Sequence, residues 1–298
     1  MTLDLSQVRP IVRAALHEDV GRGDVTSEVL IPSATCARAV IITQEAGCIA
    51  GVSVATLAFQ LFDRRVRCRM LVAEGREVQA GTPVLRIEGR LRSILAAERT
   101  AINLLGHLSG IATLTRAFVR RVEGTRAVIM DTRKTMPGLR YLEKYAVRQG
   151  GGLNHRIDLS EMVLIKSRHL DALDALAHEA SPPAYHHISD ALIRGAVARA
   201  RRRAPRHRVQ VEVRNLHECT AALAARPDLM LLDNMSLADI KQAVRLRRAT
   251  GASIPFEVSG RVSLQTVRAQ ALTGVERISV GALTHSARWL DFALRLVG

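Results

Sequence analysis

The sequence predicts an α/β protein whose second half is built from repeated strand–helix units. From residue 127 onward, short apolar runs that end in a polar residue or a glycine alternate with stretches of helical periodicity, among them 216–225, 237–249 and 264–272. The run endings Glu212, Asp233, Glu257 and Gly281 recur every 21 to 24 residues. One strand, one helix and their turns have this length, and such repeats build a parallel sheet with helices packed on it.

The predicted parallel sheet is either open or closed into a barrel, and its polar residues favour the barrel. In an open sheet, functional residues gather at one switch point. Here they end every run, from Asp131-Thr-Arg-Lys134 and Lys166 to Gly281. The chain also lacks a G-x-G-x-x-G motif after a first strand and a G-x-x-x-x-G-K-[ST] motif, which excludes the two common nucleotide-binding loops.

The first third of the chain predicts a smaller α+β domain. Residues 6–17 have helical spacing, and β-type runs follow at 37–43, 47–54, 66–72 and 83–87, with glycine-containing turns between them. A long apolar-periodic stretch at 93–122 contains Gly106 and Gly110, which favours two packed helices or one helix with a bend.

The charge balance indicates an anionic ligand. The 298 residues include 43 Lys plus Arg against 28 Asp plus Glu, a net charge of +15. Nucleic acid, an anionic surface or a small polyanion would each suit this charge. An aromatic content of 3% is too low for base-stacking platforms, and no nucleic-acid-binding motif is present, so nucleic acid is the least favoured of the three.

The remaining composition is that of a globular protein, with 48% hydrophobic and 24% charged residues. No apolar run approaches the ~20 residues needed to cross a bilayer, and the first ten residues lack the pattern of a signal peptide. The sequence therefore predicts a cytoplasmic protein. Its cysteines have no metal-binding spacing and are predicted to be reduced: Cys36, Cys48, Cys68 and Cys219.

Lysine is rare among the basic residues, and two of the four lysines end apolar runs. Lys134, with Arg133 before it, follows the run at 127–130, and Lys166 follows the run at 162–165. Lysine offers a compact point charge to phosphate or carboxylate, whereas arginine holds carboxylates in a planar fork. Solvated basic strand ends would give the same pattern, but the use of both cations favours a pocket for a polyanion.

The later runs end in acids and glycines. Glu212 and Asp233, on neighbouring predicted strands, could hold Mg²⁺ through water or bind a sugar diol. Alternatively, each is a solvated strand end or forms a salt bridge with an arginine. The last two strands have glycine-rich ends, where backbone N–H groups of α/β barrels commonly hold a phosphate. These ends are Ser259-Gly260 and Gly281-Ala282.

Motifs spread over nearly the whole chain resemble the quinolinate phosphoribosyltransferase family, the decarboxylating nicotinate-nucleotide pyrophosphorylases of NAD biosynthesis. The resemblance rests on long matches rather than on single residues. The matching motifs are Glu18-Asp-Val-Gly-Arg-Gly-Asp-Val-Thr-Ser27, Glu98-Arg-Thr-Ala-Ile-Asn-Leu-Leu-Gly-His-Leu-Ser-Gly-Ile-Ala112, Asp131-Thr-Arg-Lys-Thr-Met-Pro-Gly-Leu-Arg140, Glu143-Lys-Tyr-Ala-Val-Arg148, Gly150-Gly-Gly-Leu-Asn-His-Arg156, Leu232-Asp-Asn234 and Glu257-Val-Ser-Gly260.

The resemblance implies a fold and an assembly. The fold is an N-terminal α+β open sandwich, formed by residues 1–106 with 286–298, and an incompletely closed parallel α/β barrel formed by 107–285. The assembly is a homodimer in which Arg99 completes the neighbouring subunit's site. The implied substrates are quinolinate and phosphoribosyl pyrophosphate, and the implied cofactor is Mg²⁺.

The resemblance also implies roles for individual residues. Around the two carboxylates of quinolinate it places Arg133, Lys134, His155, Arg156 and Lys166. On the ribose and Mg²⁺ side of phosphoribosyl pyrophosphate it places Glu212 and Asp233, and at the 5′-phosphate it places Ser259, Gly260, Gly281 and Ala282. The residues expected to be catalytic are Lys134, Lys166, Glu212 and Asp233.

The chain departs from the family pattern after Lys166. Ser167-Arg168 stands where the family usually has Asp-Asn, and the segment from 167 to 208 is longer than in typical members. We expect this segment to be surface, with its arginines solvated, and we do not expect His186-His187 to bind a metal without a third ligand. Two alternatives remain: a phosphoribosyltransferase for another anionic ring, and a non-catalytic nucleic-acid-binding protein that uses residues 199–208.

Overall fold

The structure, a computed structural model, describes residues 3–178 and 188–297. It divides into two compact units. Unit 1 comprises Met1–Ala117, Lys134–Asn154 and Gly281–Gly298, and unit 2 comprises Phe118–Arg133 and His155–Val280. The stretch 181–187, which includes His186 and His187, lies outside the described residues. Among the described residues, no helix combines the length and the apolar character needed to cross a membrane.

The helices and strands alternate along most of the chain. In order they are α1 (Leu5–Val20), α2 (Val25–Leu30), β1 (Cys36–Thr43), β2 (Gly47–Cys48), α3 (Val52–Phe62), β3 (Arg67–Met70), β4 (Glu77–Val78), β5 (Pro83–Arg90), α4 (Leu91–Val122), β6 (Val128–Met130), α5 (Arg140–Gln149), β7 (Val163–Ile165), α6 (Ser167–His178), α7 (Asp190–Arg203), β8 (Val209–Val213), α8 (Leu216–Ala225), β9 (Leu229–Asp233), α9 (Leu237–Ala249), β10 (Phe256–Ser259), α10 (Val267–Ala271), β11 (Arg277–Ser279), α11 (Ala282–His285) and β12 (Phe292–Val297).

Unit 1 is built around a four-stranded antiparallel sheet in the order β12-β1-β5-β3. The last strand of the chain, β12, pairs with β1 from Thr43↔Phe292 to Arg38↔Val297. The predicted β run at 47–54 was wrong beyond Cys48. Gly51 adopts a left-handed conformation (φ +97°), which turns the chain so that α3 begins at Val52.

The stretch predicted as two helices or one bent helix is a single helix, α4, of 32 residues. Its glycines serve close packing within unit 1. A Cβ atom at Gly106 would lie 2.8 Å from the carbonyl oxygen of Leu290, and one at Gly110 would lie 3.0 Å from the Cα of Trp289. The glycines thus let the backbone at 288–290 lie directly against the helix.

Unit 2 contains a six-stranded parallel sheet in the order β6-β11-β10-β9-β8-β7. Within this sheet, β6 and β7 come first in sequence order, and they form the two edge strands. They do not pair with each other within the described residues. The strand order is therefore that of a barrel left open at one seam, and the predicted fold class is confirmed.

The strands and helices of unit 2 follow from local sequence. Strands β8, β9 and β10 are buried on both faces, as expected for a parallel sheet covered by helices. Helices α8 and α9 have the predicted bounds, because Asn215 and Ser236 cap their first turns with side-chain acceptors. Helix α10 is shorter than predicted, because Ser263 and Thr266 bond each other in a turn before it.

Candidate active site

The predicted site residues are divided between the two units. Unit 2 holds Arg133, His155, Arg156, Lys166, Glu212, Asp233, Ser259 and Gly260. Unit 1 holds Arg99, Lys134, Gly281 and Ala282.

The polar residues of unit 2 gather on one face near the carboxyl edge of its sheet. Side chains alternate along a strand, so Glu212 faces the same side as Gln210, and Ser259 the same side as Glu257. Asp233 lies directly beside Ser259 in the register of β9 and β10. Gln210 and Glu257 are fully buried and bonded to each other at 3.0 Å. Glu212, Asp233 and Ser259, which are half-buried, form the next layer toward solvent.

Two arginines of unit 2 lie close enough to affect each other, and neither has a described carboxylate within hydrogen-bond distance. Burial lowers the pKa of Arg156, and the positive charge of Arg133 lowers it further, whereas Asp158 opposes both effects. The Arg156 guanidinium donates to the carbonyl of Met162 at 3.1 Å. The Nε of Arg133 is buried and has no hydrogen-bond partner among the described residues. Like charges held together in partial burial favour a bound anion.

Lys166 and Glu212 are placed by the neighbouring strands β7 and β8. Both follow the paired residues Ile165 and Val211. Lys166 forms no salt bridge within the part of the chain that the structure describes. The departure from the family pattern bears directly on Glu212, because the backbone N–H and hydroxyl of Ser167 donate to its Oε1 at 3.2 and 3.0 Å. Ser167 therefore fixes the orientation of this carboxylate.

Glu212 and Asp233 each keep one carboxylate oxygen available. Glu212 Oε2 and Asp233 Oδ1 accept no hydrogen bond in the described ranges, and neither residue forms a salt bridge there. The salt-bridge alternative is therefore wrong for residues 3–178 and 188–297. No cluster of three His, Cys, Asp or Glu ligands occurs in these ranges either. Two hard oxygen donors fit Mg²⁺ that takes its other ligands from phosphate and water.

The loop after β10 depends on a glycine. Gly260 has φ +93°, and a Cβ atom there would lie 2.5 Å from the Cγ of Asn234. Asn234 itself has a positive φ of 53°, and its backbone N–H donates to the carbonyl of Ser259 at 2.9 Å. The backbone N–H groups of Gly260 and Arg261 donate no hydrogen bond to any described residue. Free N–H groups at a strand end suit a phosphate.

Gly260→Ala is expected to lower both stability and activity, because the new methyl group meets Asn234 and the positive φ, which glycine adopts freely, is strained for alanine. Gly251 provides a matched control, since it has φ +65° and open space around its Cβ position. Gly251→Ala should cost about 1–2 kcal/mol of unfolding free energy from strain alone. Gly260→Ala should cost at least about 1 kcal/mol more and reduce turnover roughly tenfold or more. Equal Tm values and equal activities for the two variants would contradict this assignment.

Sequence reasoning missed a buried polar network that joins the strands of unit 2. Glu257 accepts hydrogen bonds from Gln210 Nε2 and from the Ser279 hydroxyl, and its Oε1 lies 3.4 Å from His155 Nε2. Fully buried Asp131 accepts the backbone N–H of His155 at 2.8 Å. Both ring nitrogens of His155 thus have partners inside unit 2. The sequence did contain a signal for this network. Gln210 and Glu257 lie two positions before Glu212 and Ser259, and residues with this spacing on a strand face the same side of the sheet.

In unit 1, the structure brings Lys134 and Gly281 together. A Cβ atom at Gly281 would lie 3.2 Å from the Cδ of Lys134, and Thr284 donates its hydroxyl to the carbonyl of Lys134 at 2.7 Å. Ala282 begins the short helix α11. Arg99 lies apart on α4, is exposed, and forms no ion pair with a described residue.

The arginines of the basic segment before β8 are exposed to solvent, as predicted. Residues 199–208 cover the end of α7 and the turn to β8, and every arginine in this range is exposed. Arg201 forms a salt bridge with Asp228 at 3.3 Å.

A parallel strand–helix sheet that carries, at one edge, guanidinium groups and carboxylates without salt bridges to described residues is typical of α/β enzymes acting on phosphorylated, anionic substrates. The comparisons identify which of these enzymes the chain resembles. The family model of the quinolinate phosphoribosyl transferase N-terminal domain matches residues 24–109, and that of the C-terminal domain matches residues 111–295. The chain therefore belongs to the quinolinate phosphoribosyltransferase family, and the predicted family is confirmed.

Individual relatives match over nearly their full length. The chain is 41% identical to the nicotinate-nucleotide pyrophosphorylase (carboxylating) of Mycobacterium leprae, over 98% of each chain. It is 37% identical to a probable enzyme of the same name from Synechocystis, over 97% of this chain and 92% of the relative. Among solved structures, NadC from Streptococcus pyogenes superposes with a TM-score of 0.88 at 36% identity, with complete coverage of both chains.

Proposed function

We propose that this chain transfers the phosphoribosyl group of phosphoribosyl pyrophosphate to quinolinate and removes the 2-carboxylate, giving nicotinate mononucleotide, CO₂ and pyrophosphate. The observation that carries the proposal is the separation of charge at the sheet edge of unit 2. Arg133, Arg156 and Lys166 form no salt bridge with a described acid, and Glu212 and Asp233 form none with a described cation. Quinolinate supplies the missing negative charges for the cations, and the ribose and metal side of the second substrate suits the acids.

The arginines suit the two adjacent carboxylates of quinolinate. Guanidinium groups bind carboxylates in a planar, bidentate geometry that fixes the orientation of the pyridine ring. We assign Arg133 and Arg156 to this task, with Lys166 as a point charge beside them; the family resemblance gives Lys134 the same task. His155 precedes Arg156 in the sequence, and its Nδ1 supports Arg156 by accepting the backbone N–H of that residue. Orientation of the ring matters because its nitrogen must approach C1 of the ribose in line with the departing pyrophosphate.

We assign Glu212 and Asp233 to the ribose and to Mg²⁺, directly or through water. Bound Mg²⁺ would neutralise the charge that develops on pyrophosphate as it leaves. The two carboxylates themselves stabilise the positive charge that develops on the ribose ring in the transition state. At the 5′-phosphate we assign Ser259 and Gly260, with Gly281 and Ala282 as further contributors.

Decarboxylation follows from the product of the first step. Once the pyridine nitrogen has bonded to C1, the ring is a pyridinium, and it can hold the electron pair left when the bond between C2 and its carboxylate breaks. Carbon C2 then takes up a proton. The chain must hold the 2-carboxylate in place until this bond breaks, which is the work assigned to Arg133 and Lys166.

The proposal is tested by incubating the purified protein with quinolinate labelled in its 2-carboxylate, phosphoribosyl pyrophosphate and Mg²⁺. We expect labelled CO₂, nicotinate mononucleotide and pyrophosphate in equal amounts. Nicotinate offered in place of quinolinate should give no product, because it lacks the second carboxylate. Turnover with nicotinate, or nucleotide formation without CO₂ release, would assign the chain to a phosphoribosyltransferase for a different ring.

We further propose that the chain works as a homodimer in which Arg99 acts in the neighbouring subunit's site. Helix α2 leaves three large apolar side chains more than 70% exposed: Val25, Val29 and Leu30. Arg92, on the first turn of α4, donates to the carbonyls of Glu28 and Ile31, so this patch adjoins the helix that carries Arg99. An apolar patch beside an unpaired arginine is typical of a subunit interface.

Mixed dimers of Arg99→Ala and Lys134→Ala subunits are expected to regain activity that neither homodimer has. If Arg99 acts across the interface and Lys134 within its own subunit, each mixed dimer has one intact site. Random pairing makes half of the dimers mixed, so about one quarter of wild-type activity should return. Coexpression of the two subunits with different affinity tags, followed by assay, checks this. No recovery in isolated mixed dimers would show that Arg99 does not act in the partner's site.

A further inference from the structure

The buried network of unit 2 has a defined direction, which starts at Glu257. This residue is fully buried in β10. Three groups that can donate hydrogen bonds face its carboxylate: Gln210 Nε2 lies 3.0 Å from Oε2, His155 Nε2 lies 3.4 Å from Oε1, and the Ser279 hydroxyl donates to Oε1. Glu257 is therefore an ionised carboxylate, which accepts hydrogen bonds and donates none.

Because Glu257 can only accept hydrogen bonds, it determines the orientation of the Gln210 amide and, through that amide, the protonation of the His155 ring. The amide of Gln210 must point its NH₂ at Glu257 Oε2, at 3.0 Å, and so its Oε1 points at His155 Nε2, at 3.1 Å. His155 Nε2 must then carry the proton. Its Nδ1 accepts the backbone N–H of Arg156 at 2.8 Å, which requires that Nδ1 be unprotonated. Both ends of the network thus select the same neutral tautomer of His155.

We infer that Glu257 is a positioning residue for the dicarboxylate substrate, and that it acts through the tautomer of His155 on the placement of Arg156. Arg156 is held on one side by the His155 ring and on the other by the carbonyl of Met162. Within the described residues, Glu257 forms no hydrogen bond or salt bridge with Arg156; its partners are Gln210, Ser279 and His155. The inference rests on the proposed function, because it concerns how the site holds quinolinate.

Glu257→Gln is the sharpest variant, because it keeps the size of the side chain and adds one N–H donor. At the position of Oε2 the new NH₂ group faces the NH₂ of Gln210, and at the position of Oε1 it faces the Nε2–H of His155. If it faces Gln210, the Gln210 amide must flip and present its NH₂ to His155 Nε2. His155 then moves its proton to Nδ1, where it opposes the N–H of Arg156. We expect the affinity for quinolinate to fall roughly ten- to hundredfold, with the KM for phosphoribosyl pyrophosphate changed by less than about twofold.

Glu276→Gln is the matched control. Glu276 precedes β11 at the opposite, amino end of the sheet, accepts the backbone N–H of Phe256 at 2.8 Å, and pairs with Arg247 at 2.7 Å. Its loss should lower Tm and leave both substrate affinities unchanged. A merely structural role for Glu257 would give the same result as this control.

The test combines calorimetric binding of quinolinate with nitrogen NMR of labelled histidine, with the His155 signals identified by their loss in His155→Gln. The wild type should show a protonated Nε2 and an unprotonated Nδ1 at His155, and Glu257→Gln should reverse or mix them. Should Glu257→Gln not fold, Gln210→Met is used instead, since it removes both amide contacts and keeps the carboxylate. An unchanged tautomer, or quinolinate affinity within about twofold of wild type, would overturn the inference. Because binding and tautomer are measured without turnover, failure of the wild type to form nicotinate mononucleotide would refute the proposed function separately.

Discussion

Arg133→Ala is expected to lower kcat/KM for quinolinate by roughly 10²- to 10³-fold without lowering the stability of the free protein. Truncating one member of a buried, charged binding pair costs about 2–5 kcal/mol of binding, and each 1.4 kcal/mol is a factor of ten. The free protein should behave differently. Arg133 opposes the charge of Arg156 and leaves a buried Nε without a described partner, so its removal relieves repulsion and gives up only a solvent-screened attraction to exposed Asp158.

The two effects are measured by steady-state kinetics and by thermal unfolding. Arg208→Ala is the control, because Arg208 is exposed at the amino end of β8 and its removal should change neither quantity. Retention of kcat/KM within about tenfold in Arg133→Ala would remove this residue from the substrate site. A large fall in Tm would show that Arg133 supports the fold rather than the ligand.

Asp233→Asn is expected to reduce kcat by about 10²- to 10³-fold, with little change in quinolinate binding. The substitution keeps the shape of the side chain and an oxygen that can accept the hydrogen bond from Asn234, at 3.0 Å in the structure. It removes the charge that would stabilise the developing ribosyl cation and help to hold Mg²⁺. A higher Mg²⁺ concentration should be needed for half-maximal rate.

Asp228→Asn is the matched control for this variant, since Asp228 precedes the same strand at its amino end. It accepts the backbone N–H of Val209 at 2.7 Å and pairs with Arg201. We expect it to lower stability and to leave kcat and the Mg²⁺ requirement unchanged. Similar kcat values for the two variants, measured at saturating substrate and over a Mg²⁺ titration, would rule out the role assigned to Asp233.

The second half of the fold could be predicted from sequence because its signals are local. Apolar runs of four or five residues set the strands, and polar caps such as Asn215 and Ser236 set the helix starts. The bounds of α8 and α9 were predicted to the residue for this reason. The incomplete closure of the barrel came from the family resemblance rather than from periodicity, because strand order depends on contacts far apart in the chain. Only the structure shows that the opening lies between β6 and β7.

The first half was harder to predict, because its glycines respond to distant partners. Gly106 and Gly110 suggested a break in the helix, yet they accommodate the backbone at 288–290, nearly 180 residues later. Gly51 turns the chain into α3 by adopting a positive φ, and a β-type pattern of residues around it does not reveal this turn. In each case the glycine marks a position where the backbone needs unusual freedom or room, but the sequence does not show which residues pack against it.

At the site, the half-buried acids at the strand ends were predicted from sequence, whereas the buried polar network was missed. Glu212 and Asp233 stand out because an acid follows an apolar run. Gln210 and Glu257 lie within apolar runs, and their significance depends on the register of three strands and on the loop that brings His155 to them. Ser167 was recognised as a departure from the family pattern, but its contact with Glu212 required coordinates.

The central claim is that one edge of the sheet in unit 2 binds both carboxylates of quinolinate. A crystal structure of the protein with quinolinate tests it most directly. We predict that the two carboxylates accept hydrogen bonds from the guanidinium groups of Arg133 and Arg156, with Lys166 Nζ beside them and the ring nitrogen facing the side of Glu212 and Asp233. Quinolinate bound away from these arginines would contradict the account.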